Sequence, residues 1–278
     1  MRNPFIKIGK VFKYEVKSSS RIFLPLYGVL CVVALLLGLS GLQKPKSEKL
    51  PLGITNVSYM NEQYPSSTFE NFSIQVSSVK SALIFLYGAL IIAIIVLTIA
   101  LLIKRFRKSM LGDEAYLNLS LPVTISEHLW GRILASLMWA FLCFITIFVS
   151  VFLTSFDPSI YKQLIISLSN GLNISKGEVI LVLILMYSFS SIFLILFCYC
   201  IESITHLFAS HHSLAKACTT IVLLIVTSKF SNIVLDLTRN IRMDSFYANF
   251  WTAILSLIFI SACFYTAIYF IFKKGLNL

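Results

Sequence analysis

Long apolar stretches alternate with short polar ones along this chain. Four uncharged runs, 22–42, 81–103, 133–156 and 179–201, reach the roughly 20 residues of helix that a bilayer core needs. A fifth, 245–272, is longer than required. Between the last two lies an interrupted run. Its uncharged centre is too short to span, but 213–235 is long enough, with Lys216 and Lys229 near opposite ends, where lysines can snorkel. The pattern predicts an all-α, polytopic membrane protein with six transmembrane helices. The first run begins only after 21 residues and is long enough to remain as a span, unlike a cleavable signal peptide.

The polar stretches carry periods of their own. Lys7, Lys10, Lys13 and Lys17 share one helical face, and Phe5, Ile8, Phe12 and Val16 lie opposite. That predicts an amphipathic helix over 1–21 lying on the membrane surface, its lysines meeting anionic head groups. Glu15 falls on the apolar side, either as an exposed acid or as a contact for a basic residue of the first cytoplasmic loop or of a partner. The loop 104–132 predicts an ordered elbow. After the basic cluster 104–108, Gly112 breaks the helix, and Asp113 and Glu114 suit the positive end of a new one. Pro122 ends that segment, and Thr124 with Glu127 forms a capping box for the next helix. Trp130 and Arg132 are expected to anchor it at the interface. Tyr116, Leu117, Leu119 and Leu121 either form an apolar docking surface or pack beneath the bundle.

On the other side, Asp157-Pro158 predicts a helix start. Tyr161, Leu164, Ile165 and Leu168 continue it at helical spacing, and Asn170-Gly171 closes it. Ser175 and Glu178 form a second capping box. Phe230, Ile233, Val234, Leu237 and Ile241 make one apolar face, so 229–244 reads as an amphipathic or re-entrant helix, or else as a longer, bent fifth span.

Composition agrees with the pattern. Of 278 residues, 58% are hydrophobic and 13% charged, against about 25% charged in soluble domains. Mean hydropathy is +0.86. A cytosolic enzyme, a secreted disulfide scaffold and a disordered chain are all disfavoured. The net charge of +11 is a topology signal. Fourteen of the 23 Lys and Arg fall on the side of the two termini, concentrated beside the first three spans, which predicts both termini cytoplasmic. The charges flank spans and form no single patch, so nucleic acid is not an expected partner. All six cysteines lie inside predicted spans and read as packing residues.

Catalytic signatures are absent: there is no phosphate-binding Gly-x-x-x-x-Gly-Lys-Ser/Thr loop, no His-Glu-x-x-His and no Gly-x-Ser-x-Gly. Neither catalysis nor a cofactor is expected. His206, His211 and His212 cluster with Glu202 as the one nearby acid. A solvated loop is the default there, and a metal the alternative.

Gly112-Asp113-Glu114-Ala115-Tyr116, then Ser120-Leu121-Pro122-Val123 and the run to Arg132, resemble the first cytoplasmic loop of ABC-2 type permeases. These are membrane subunits of bacterial ATP-binding-cassette exporters. The opening, with Lys13-Tyr14-Glu15 followed by Arg21-Ile22-Phe23-Leu24-Pro25-Leu26-Tyr27, is similar too. The resemblance covers essentially the whole chain. It implies a type V exporter-like architecture in a bacterial plasma membrane, with an interfacial helix at 1–21, a transmembrane domain at 22–278 and a coupling elbow at 104–132. It also implies two separate ATPase subunits per complex and a second permease, identical or a sibling, within the lipid bilayer. Gly112, Asp113, Glu114, Tyr116, Leu117, Leu121 and Pro122, with Glu15, become the expected ATPase-coupling surface. Lys7, Lys10, Lys13, Lys17, Trp130 and Arg132 become the interfacial anchors. The spans supply Phe, Leu, Ile, Ser and Thr, which suits an amphipathic or hydrophobic cargo such as a peptide toxin or bacteriocin, a drug or a lipid. The contrasting reading is a non-transporting membrane protein, such as an immunity factor or sensor.

Overall fold

The computed structural model describes residues 4–42, 67–112, 124–155, 159–172, 174–208, 212–240 and 246–275. Among them are seven α-helices, one π-helical turn and no strand. The helices are α1 (Pro4–Leu42), α2 (Ser67–Phe106), α3 (Ile125–Ser155), α4 (Ser159–Leu172), α5 (Lys176–Thr205), α6 (His212–Asn240) and α7 (Phe246–Gly275); the π turn, Arg107–Leu111, extends α2. Six are long and apolar enough to cross a membrane: all but α4. Each overlaps one of the six runs read from the sequence, and the chain is a multi-pass membrane protein by length and composition.

Local rules explain several boundaries. Thr124 N donates to Glu127 Oε2 at 2.9 Å and Glu127 N donates to Thr124 Oγ1 at 3.4 Å. Ser175 and Glu178 repeat the arrangement at the start of α5. Each box satisfies amide donors that the first helical turn would leave open. The short helix expected after Pro158 is α4. Its Tyr161 hydroxyl donates to Phe148 O at 2.9 Å, and burial there pushes the phenol above its ordinary pKa.

One expectation changes and one open choice narrows. Over its described residues, 4–21, the amphipathic segment is not a separate helix. It runs without a break into the first span, as one helix of 39 residues. At 1.5 Å per residue this is about 58 Å, nearly twice a hydrocarbon core of about 30 Å. Ser18, Ser19 and Ser20 do not interrupt it, because Ser19 and Ser20 turn their hydroxyls back onto Glu15 O and Lys17 O, and Pro25 is accommodated inside the helix. The apolar side of the segment packs along the first turns of α3, where Val11 and Ile8 O meet Gly131. The choice left open concerns 229–244. Residues 229–240 continue α6 without a break, so within the described residues this segment is an extension of the fifth span.

Two apolar clusters hold the bundle. Phe23, Tyr27 and Leu30 of α1 meet Ile94 and Leu102 of α2 and Trp139 and Cys143 of α3, with Phe23 stacked on Trp139 at 4.6 Å. The larger cluster joins Phe106 and Met110 to α3, α5 and α7, and Phe106 stacks on Tyr199 at 3.8 Å. In contrast, α6 has none of its apolar window buried. It is held by a Phe230–Phe259 stack on α7 and by polar contacts at its N-terminal end.

Candidate functional site

Charged side chains gather where the start of α1, the end of α2 and the start of α3 meet. Glu15 lies between two guanidiniums: Arg105 Nη1 at 3.7 Å and Arg132 Nε at 3.4 Å. Arg105 also donates to Glu15 O at 3.0 Å and to the hydroxyls of Ser18 and Ser19. It therefore grips one turn of α1 from the end of α2. On the flank, Lys7 Nζ approaches Glu127 Oε2 at 3.8 Å, linking α1 to the capping box that opens α3.

Of the expected anchors, Lys10, Lys13 and Lys17 are exposed and Lys7 is half-buried. Trp130 is exposed, its ring 5.4 Å from Tyr265. Arg132 departs from expectation. It is 4% exposed and faces Glu15 rather than a head-group layer. The reason is helical register. His128, Leu129, Arg132, Ile133, Ser136, Trp139 and Cys143 are all buried and recur at spacings of three and four, which places Arg132 on the inward stripe of α3. That stripe is present in the sequence and would have found it. Glu15 has the contact with a first-loop basic residue that was one of its two readings.

Gly112 ends the π turn in an extended conformation. Asp113, Glu114, Tyr116, Leu117, Leu121 and Pro122 lie outside the described residues, as does His211. His206 caps α5 with an exposed side chain. Glu202, considered from sequence only as a neighbour of the histidines, is 1% exposed and ion-paired with Lys216 of α6. Thr205 and Thr219 approach at 3.4 Å beside it. Among the described residues, no group of three His, Cys, Asp or Glu side chains is placed to hold a metal.

Two spaces adjoin this charged foot. A chamber of about 20 Å³ is lined by Glu15, Arg105, Arg132, Ser136, Trp139 and Tyr199, among others. Trp139 is 2% exposed, and its Nε1 has no hydrogen-bond partner among the described residues. Next to it, a cavity of about 660 Å³ opens between α2, α3 and α5, within the roughly 300–1,000 Å³ typical of small-molecule sites. Ile95, Phe144 and Leu194 line it and are exposed at its mouth. Thr98, Tyr187, Ser190, Ser191 and Tyr199 supply the few hydroxyl groups of its wall. Leu102 and Tyr199 line both spaces. No sequence pattern announces this cavity, since its walls come from three helices far apart in the chain.

The chain matches no family model, no curated protein and no solved structure.

Proposed function

We propose that the chain is the permease subunit of an ATP-driven exporter of the ABC-2 type. In this reading it moves an amphipathic or hydrophobic substrate outward across a bacterial plasma membrane, powered by a separate ATPase. The observation that carries it is the pairing of a large apolar cavity with a charged foot that ties three helices together. The cavity can take an apolar body out of the bilayer. The foot can pass a mechanical push to the cavity walls, because α2 and α3 contribute both to it and to those walls.

Segment 113–123 is the element on which the ATPase acts. Its two flanks end on the foot: Gly112 follows the π turn after Arg105, and Thr124 caps α3 through Glu127, which Lys7 bridges. A displacement of the segment therefore bears directly on Glu15, Arg105 and Arg132. Gly112, Asp113, Glu114, Tyr116, Leu117, Leu121 and Pro122 form the docking surface, two ATPase subunits serve a pair of permeases, and the basic end of the bundle faces the cytoplasm.

The test is copurification. The chain is expressed with a candidate ATPase, first sought in the neighbouring genes, and copurification and ATPase stimulation are compared between the parent and Glu114→Lys plus Leu121→Asp. Loss of both in the variant, with the membrane protein still folded, is the expected result. Unchanged copurification and coupling sink the docking assignment. No ATPase bound to the parent leaves the non-transporting reading in place.

A further inference from the structure

We propose that the cavity and chamber together form a binding site for a single-chain amphiphile with an anionic head. This rests on the exporter reading and names the substrate class for its cavity. The acyl chain lies between α2, α3 and α5, and a head-group oxygen enters the chamber.

Three features of the chamber specify the head. Its charged lining is two guanidiniums and one carboxylate among the described residues, so its field favours an anion. Trp139 Nε1 is a buried donor with no partner among the described residues, and a buried polar group left open costs free energy that an acceptor recovers. A volume of about 20 Å³ admits one water-sized group, which matches a single oxygen and excludes a whole phosphate or carboxylate. The rest of the head then lies towards Arg105, whose side chain is 25% exposed and long enough to follow it.

The tail is specified by the neighbouring cavity. Its walls are mostly aliphatic and aromatic. The hydroxyls of Thr98, Tyr187, Ser190, Ser191 and Tyr199 are bonded within the protein, so the walls have little left to hydrogen-bond a polar chain or a second head group. Leu102 and Tyr199, common to both spaces, bring the apolar and polar parts into register. Tyr199 is held by its stack on Phe106 and its hydroxyl contact with Ser136. A neutral chain gains the cavity but not the chamber, and a cationic one is repelled there.

Carboxylate and phosphate heads share this chemistry, so the experiment separates them. The purified chain in a nonionic detergent, without any ATPase, is titrated with oleate, 1-oleoyl-lysophosphatidate, monoolein and oleylamine, and binding is read by native mass spectrometry. The expected result is saturable binding of one or both anions, at least tenfold tighter than monoolein, with oleylamine weaker still. The tighter of the two anions names the head. Trp139→Phe weakens the anions roughly tenfold, the scale of a hydrogen bond to a charged group, without altering monoolein. Ser190→Trp, which fills the cavity wall, abolishes binding of all four. Each variant is checked for a parental elution profile and melting temperature. Should Trp139→Phe destabilise the fold, the four-probe comparison on the parent decides the matter alone. Equal affinity for monoolein or oleylamine overturns the proposal, as does no binding at all. Because no ATPase is present, failure here leaves the exporter reading standing, and failure of the copurification leaves this binding result intact.

Discussion

Gly131→Ala tests the packing of α1 along α3 by changing one atom. A Cβ at position 131 meets Val11 Cγ1 at 2.8 Å, Val11 Cβ at 2.9 Å and Ile8 O at 3.4 Å. Ordinary carbon contacts sit at about 3.5–4.0 Å, so α1 must be pushed off α3 by several tenths of an ångström. The Val11 contacts involve a Cβ and a branched methyl, which no rotamer change can remove together. Overpacking of this kind costs about 1–3 kcal/mol. In a Val11→Gly background both close contacts vanish, and only the ordinary approach to Ile8 O remains. There the substitution gains what alanine ordinarily gains over glycine inside a helix, about 0.5–1 kcal/mol. The effect of Gly131→Ala therefore reverses sign between the two backgrounds. Equilibrium unfolding of all four proteins in detergent measures both differences. An equal effect in both backgrounds, or a stabilising Gly131→Ala in the parent, refutes the packing of α1 on α3 at this point.

Two ion-pair predictions follow. Glu15→Gln is expected to destabilise by about 3 kcal/mol through Arg132, whose side chain is 5% exposed, on the scale of breaking a buried pair. Arg105, 25% exposed, couples to Glu15 by less than about 1 kcal/mol. Double-mutant cycles on the two pairs measure the order, and a larger coupling to Arg105 contradicts it. At the foot of α6, Lys216→Ala is expected to destabilise more than Glu202→Gln, by about 2 kcal/mol, because it strands a carboxylate that is 1% exposed, whereas the glutamine removes the charge. Unfolding midpoints that are equal, or reversed, contradict that asymmetry.

Spans, caps and the short helix α4 were legible from the sequence because each depends on neighbours in the chain. A run of 20 apolar residues needs no tertiary partner to be read as a span. Thr124 with Glu127 and Ser175 with Glu178 close their boxes within one turn. The fate of the serines at 18–20 was not legible, because a polar triplet can break a helix or back-bond within it; here Ser19 and Ser20 back-bond and Arg105 of α2 holds Ser18 and Ser19. Arg132 lies near the end of a span, as an anchor would, but its register with Leu129, Ser136 and Trp139 turns it inward.

Of this protein, then, the sequence by itself determined the number of apolar spans and the capped starts of α3 and α5, which are set by local apolar length and i, i+3 chemistry. The tertiary structure decided which apolar surface is interior. In a membrane chain both the lipid-facing and the core-facing sides of a helix are hydrophobic, so apolar content cannot separate them. That ambiguity hid the contact of Val11 with Gly131, the inward Arg132 and the cavity between α2, α3 and α5, each of which exists only where separate helices come together.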